Sequence, residues 1–117
     1  MPEPSPIDFL PLKPAHFHIL LTVTERPLHG YGIREEIDER TEGQIVLAAG
    51  TLYETLRRLE RDGLVQEVDT PPDEAERASS RWRFYSTTEL GSQVLRHEVA
   101  RLEADLLAAR AKLPALG

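Results

Sequence analysis

The stretch from Ala48 to Asp62 constrains the fold more than any other part of this chain. Leu52, Leu56 and Leu59 recur at steps of four and three, which lines them up along one stripe of a helix. Gly63 stands just past the end, where a left-handed C-terminal cap is wanted. Opposite the leucines the helix offers Thr51, Tyr53, Glu54, Arg57 and Arg58, and the small residues Ala48, Ala49 and Gly50 open its first turn. A helix with a single apolar stripe must lie against other elements, so its neighbours decide what it belongs to.

Upstream, Pro14 suits the first turn of a helix, and Ala15 to Glu25 is apolar on nearly every side before Pro27 stops it. Such a helix must be buried, and a second subunit is one candidate cover. Leu28-His29-Gly30 reads as a short turn, and Tyr31 to Thr41 as an amphipathic helix with Ile33 and Ile37 inward, ended by Gly43. Gln44 to Leu47 has room for no more than a brief strand. Downstream, Leu64 to Val68 alternates as a strand, and Asp69 to Ser80, with two prolines, is a loop. Arg81 to Thr87 forms a second strand, with Trp82 and Phe84 on one face and Arg81, Arg83 and Tyr85 on the other.

Thr88 is a plausible N-cap for a last helix reaching about Lys112. Within it Leu95, Val99, Leu102, Leu106, Ala109 and Leu113 follow alternating steps of four and three, a heptad seam. At 1.5 Å per residue the helix is about 36 Å long, more than a three-helix core can cover, so its seam predicts dimerisation rather than folding back. Residues 2–14 carry five prolines and read as an extended arm or as a partly disordered tail. The expected organisation is an arm over 1–13, a winged helix-turn-helix domain over 14–87 and a dimerisation helix over 88–113. The fold class is mainly α with a small β hairpin.

Two helices joined through a short turn can set the second in a DNA major groove, with a following hairpin beside it. On that geometry Tyr53 donates its hydroxyl to a phosphate and Arg57 meets a phosphate or a guanine edge. The hairpin supplies Arg77, Arg81 and Arg83. Taken singly, these residues also fit a half-packed tyrosine and a solvated charged face. The formal charge of −6 opposes DNA affinity unless the arginines gather on one surface. A winged-helix module that binds only proteins is the second reading, separable by the salt dependence of binding.

With 117 residues and no cysteine, the chain has room for one domain and excludes disulfides, thiolate metal sites and cysteine nucleophiles. His16 and His18 point apart on a helix, His29 sits in a turn, and His97-Glu98 lacks the second histidine of a zinc motif. Neither catalysis, a cofactor nor a metal is expected. No apolar stretch approaches a membrane span and no basic leader precedes one, so a cytoplasmic protein without membrane contact is expected. Trp82, the single tryptophan, either receives a flat aromatic ligand or packs beneath the hairpin.

Three stretches together resemble the PadR-like transcriptional regulators. Leu28-His29-Gly30-Tyr31-Gly32-Ile33 is similar to that family's HGY element, and Gly50 to Val65 to its GTLYxxLxxLxxxGLI stretch. Arg83-Phe84-Tyr85-Ser86-Thr87-Thr88-Glu89-Leu90-Gly91 is similar to its RxYYxLTxxG stretch. The resemblance implies a winged-helix repressor, dimerised through its first and last helices. It further implies a palindromic operator in double-stranded DNA and release by a small aromatic molecule. The single terminal helix matches the smaller of the family's two size classes. Carried over by position, DNA contacts fall on Tyr31, Thr51, Tyr53, Arg57 and the wing arginines. Two positions depart from the pattern: Glu54 stands where a proline or small residue is usual, and Thr87 replaces a leucine.

Overall fold

The computed structural model describes residues 4–79 and 81–117. Among these, four α-helices and three short strands appear: α1 (Pro14–Glu25), β1 (Leu28–His29), α2 (Gly30–Arg40), α3 (Ala49–Arg61), β2 (Val65–Val68), β3 (Phe84–Thr87) and α4 (Glu89–Lys112). The strands form one antiparallel sheet in the order β1-β3-β2. This is a winged helix followed by a long terminal helix.

The helices stand where period and capping placed them. Beyond α3, Gly63 takes φ +78°. Its N–H bonds the Glu60 carbonyl at 3.0 Å and that of Leu64 bonds the Leu59 carbonyl at 2.9 Å, the paired bonds of a Schellman cap. The Thr88 hydroxyl accepts the Gly91 N–H at 3.0 Å and donates to the Gly63 carbonyl at 2.5 Å, so one side chain starts α4 and ties it to the end of α3.

The sheet differs from the expected two-stranded hairpin. Leu28 and His29, read as a turn, pair with Tyr85 and Phe84 as a third strand. Two residues are too few for any alternation to register in sequence. The last strand begins at Phe84 rather than Arg81, because Trp82 turns back, its N–H bonding the Ser79 carbonyl at 3.0 Å. Gln44 to Leu47 forms no strand; Leu47 is buried instead. Of the Asp69–Ser80 loop, which contains a 3-10 turn over Pro72–Glu74, Ser80 lies outside the described residues.

The core joins Ile19, Leu20 and Val23 of α1, Ile33 and Ile37 of α2, and Leu52, Leu56 and Leu59 of α3, closed by Val65, Tyr85, Val94 and Leu95. Full burial of each such aliphatic side chain contributes about 1.5–3 kcal/mol. Thr87, the departure from leucine, shares a 3.0 Å hydroxyl hydrogen bond with Thr24 of α1, so the polar substitution is met by a polar partner. The arm, of which residues 1–3 lie outside the described set, contains a 3-10 turn over Pro6–Phe9 and packs Phe9, Leu10 and Leu12 on the core. It is anchored to α4 at Glu98, which is buried yet ionised: its Oε2 accepts the Leu12 N–H at 2.8 Å and both its oxygens accept from Arg101. The hydrogen bonds from Arg101 hold this carboxyl below its ordinary pKa against the opposing effect of burial.

Past Arg101 every side chain of α4 is exposed. Of the heptad seam, Leu95 belongs to the core, whereas Val99, Leu102, Leu106 and Leu113 stand 38%, 39%, 51% and 54% exposed.

Candidate nucleic-acid interface

With Leu52, Leu56 and Leu59 pinned to the core, the 3.6-residue period sorts the remaining positions of α3. Gly50, Glu54, Arg57 and Arg61 point most directly outward. Tyr53 and Glu60 fall on the flank toward the sheet, and Thr51 and Arg58 on the flank toward α1. Arg61, one turn beyond Arg57, is not among the residues expected from sequence, although the i, i+4 spacing is there to find it.

On the sheet side, α3, the start of α2 and the segment before β3 enclose a cleft of about 400 Å³. Tyr31, Tyr53 and Arg57 line it together with Arg81, Trp82 and Arg83, and Tyr85 forms part of its wall. Five of the expected DNA contacts therefore share one hollow. Tyr31 and Tyr53 remain 59% and 46% exposed. The Tyr53 ring rests on Gly30, where an added Cβ would lie 2.7 Å from its Oη, so the glycine of the HGY element makes room for the tyrosine of the next stretch.

The remaining expected contacts lie elsewhere. Thr51 and Arg58 face Lys13 and His16 across a separate hollow. Arg77 turns to Glu74, donating to both carboxylate oxygens at 2.9 and 3.1 Å, and lies outside the cleft. Arg83 has Glu67 at 3.7 Å. Arg57, Arg58, Arg61 and Arg81 form no ion pair among the described residues. Of these, Arg57 and Arg81 share the cleft with Arg83 and one carboxylate, Glu60, so cations outnumber carboxylates in its lining, as a net acidic chain requires to meet an anionic partner.

Trp82 lies flat on His29, ring centres 4.0 Å apart and planes within 2°, with Phe84 tilted against both. The stack ties the segment before β3 to the start of α2, and so positions Arg81 and Arg83. Both His29 ring nitrogens are buried without a hydrogen-bond partner. Burial lowers the His29 pKa, outweighing the opposite pull of Glu74 and Glu35, and the neutral ring is the favoured form.

Among the described residues, no group of three or more metal-ligating side chains gathers, and no helix is long and apolar enough to cross a membrane.

Residues 19–97 match the family model of the transcriptional regulator PadR-like family. The chain belongs to this family. As a PadR-like protein it is a transcriptional regulator by family. Solved structures agree in fold. A transcriptional regulator from Clostridium thermocellum is 22% identical with a TM-score of 0.68, over 83% of this chain and 87% of that one. A PadR family regulator from Eggerthella lenta is 28% identical with a TM-score of 0.64, over 84% and 79%. Bacillus subtilis PadR in complex with operator DNA is 20% identical with a TM-score of 0.62, over 76% of this chain and 47% of that one. No curated protein sequence matches the chain.

Proposed function

We propose that this PadR-like chain is a cytoplasmic homodimer that binds a palindromic operator in double-stranded DNA and represses transcription until a small aromatic effector releases it. The observation that carries the reading is the gathering of Tyr31, Tyr53, Arg57, Arg81 and Arg83 around one side of α3. In this reading α3 enters the major groove, which at about 12 Å across accepts a helix with its side chains. Tyr31 and Tyr53 donate to phosphates, Arg57 reaches a phosphate or a guanine edge, and the wing arginines follow the adjacent backbone. The operator complex of Bacillus subtilis PadR, of like fold, supports DNA as the partner.

The homodimer rests on α4. Val99, Leu102 and Leu106 form an exposed apolar seam on a helix of 24 residues, continued by Leu113 just past its end, and a second copy of that seam supplies its cover. Two recognition helices held at fixed spacing then read the two halves of a palindrome. With Glu54 on the exposed face of α3 and a net acidic chain, one half alone binds poorly.

Trp82 carries the effector proposal. The cleft it shares with Tyr31, Tyr53 and Tyr85 has a volume within the range of small-molecule sites, about 300–1,000 Å³. A flat ligand seated there occupies the surface assigned to DNA, so its binding and DNA binding exclude each other. Quenching of the single tryptophan by aromatic acids tests this; no response to any of them removes the site. The regulatory family favours a binding role over an enzymatic one.

The deciding experiment is fluorescence anisotropy of a duplex carrying the region upstream of the protein's own gene, titrated with salt. Affinity at low salt that falls steeply as salt rises supports the reading. No affinity at low salt overturns it and leaves a winged-helix module that binds proteins.

A further inference from the structure

The flank of α3 opposite the cleft meets the beginning of α1. There Lys13, immediately before α1, and Arg58 of α3 both line two adjoining hollows of about 190 and 270 Å³. The half-buried His16 ring lies between them, and Thr51 borders the second hollow. Lys13 and Arg58 are exposed, and neither forms an ion pair among the described residues. Their closeness registers on His16: after burial, which lowers its pKa most, Lys13 and Arg58 are the next largest causes, opposed by Asp62. Asp62 lines the first hollow and Glu54 the second, so carboxylates stand beside the two cations, but neither closes an ion pair with them, which leaves both cationic groups available beside the outward face of α3.

We infer that Lys13 and Arg58, with the Thr51 hydroxyl, form a second phosphate site, which holds the DNA strand on the far side of the groove from the Tyr53 cleft. The inference rests on the DNA-binding reading given above. A helix that fills the major groove has a phosphate backbone along each flank. On α3 the leucines fix one flank as Tyr53 and the other as Thr51 and Arg58, so ligands for both backbones stand on the same helix. Lys13 extends the second flank from a different element, which makes the orientation of α1 part of the docking geometry. Glu54 and Asp62 border the same hollows, so the two cations balance these carboxylates where the helix nears the DNA.

The test uses the full chain and its Lys13→Ala and Arg58→Ala variants, singly and together. Anisotropy is measured across salt on the upstream duplex and on an unrelated duplex of equal length. Removing one phosphate-binding cation makes the slope of log affinity against log salt shallower by about 0.9 per half-site. Because a bond to phosphate carries no sequence information, both duplexes lose affinity by the same factor. Unchanged far-ultraviolet circular dichroism and melting temperature confirm that the fold is intact, as exposed positions allow. If the wild type binds the upstream duplex but the double variant keeps its salt slope, this inference fails while DNA binding stands. If the wild type binds neither duplex, both fail.

Discussion

Replacing Gly30 by alanine separates the fold from its function. Gly30 is buried at the first position of α2, under the ring of Tyr53. An alanine Cβ there would stand 2.7 Å from Tyr53 Oη and 2.9 Å from Cε1 and Cζ, whereas ordinary contact begins at 3.4 Å. The hydroxyl end of the ring must therefore retreat by 3.4 − 2.7 = 0.7 Å. It can do so, because Tyr53 is 46% exposed and free to swing toward solvent. Folding should consequently suffer little, because the nearest atoms belong to the far end of a half-exposed side chain. DNA binding should suffer much more. A hydrogen bond from the Tyr53 hydroxyl to a charged phosphate contributes about 1.5–3 kcal/mol. Losing it weakens each half-site by roughly 10- to 150-fold. The assay pairs anisotropy on the upstream duplex with urea denaturation, using Tyr53→Phe to report the hydroxyl alone. Gly30→Ala binding within twofold of wild type, or unfolding at a clearly lower urea midpoint, would refute the reasoning.

Lysine at both Leu102 and Leu106, which are 39% and 51% exposed, should reduce the light-scattering mass from twice 13.2 kDa to a single chain and weaken operator binding with it. A double variant that remains dimeric at micromolar concentration would remove α4 as the interface. Glu98→Gln disrupts the carboxylate that holds Arg101 and the Leu12 N–H, and is expected to cost about 1.5–3 kcal/mol in urea denaturation. It should also expose residues 4–12 to protease; an unchanged midpoint and cleavage pattern would show that the arm is held by its apolar residues alone. Acidification should act in two stages. His16, His18 and His29 are all lowered below 6.5, chiefly by burial, so the unfolded chain takes up their protons first. Stability from these rings is complete above pH 6.5 and declines as pH falls below it. Glu98 is likewise lowered below 4.5, so its contribution holds above that pH and is lost as pH falls further. A melting temperature flat between pH 8 and pH 5 would contradict burial of the neutral rings.

Local rules were enough to place much of this molecule. The four helices announce themselves through leucine spacing, Pro14, Gly63 and Thr88, each acting within a turn or two of its own position. The outward face of α3 was legible for the same reason, since burying three leucines on one stripe leaves Tyr53, Arg57 and Arg58 no other side. The family resemblance drew on the same segments, and the match over residues 19–97 agrees with it. Tertiary structure decided what depends on distant partners. β1 exists only because β3 pairs with it, and the role of His29 only because Trp82 closes over it. Thr87 is accounted for by Thr24, and a glutamate is buried in α4 because the arm returns to meet it. Arg77 and Arg81 look alike in the chain, yet Glu74 engages the first and leaves the second to the cleft. Period and capping are properties of neighbouring residues, whereas the surroundings of the two flanks of α3 need α1 on one side and the sheet on the other, and both are set by packing across the whole chain.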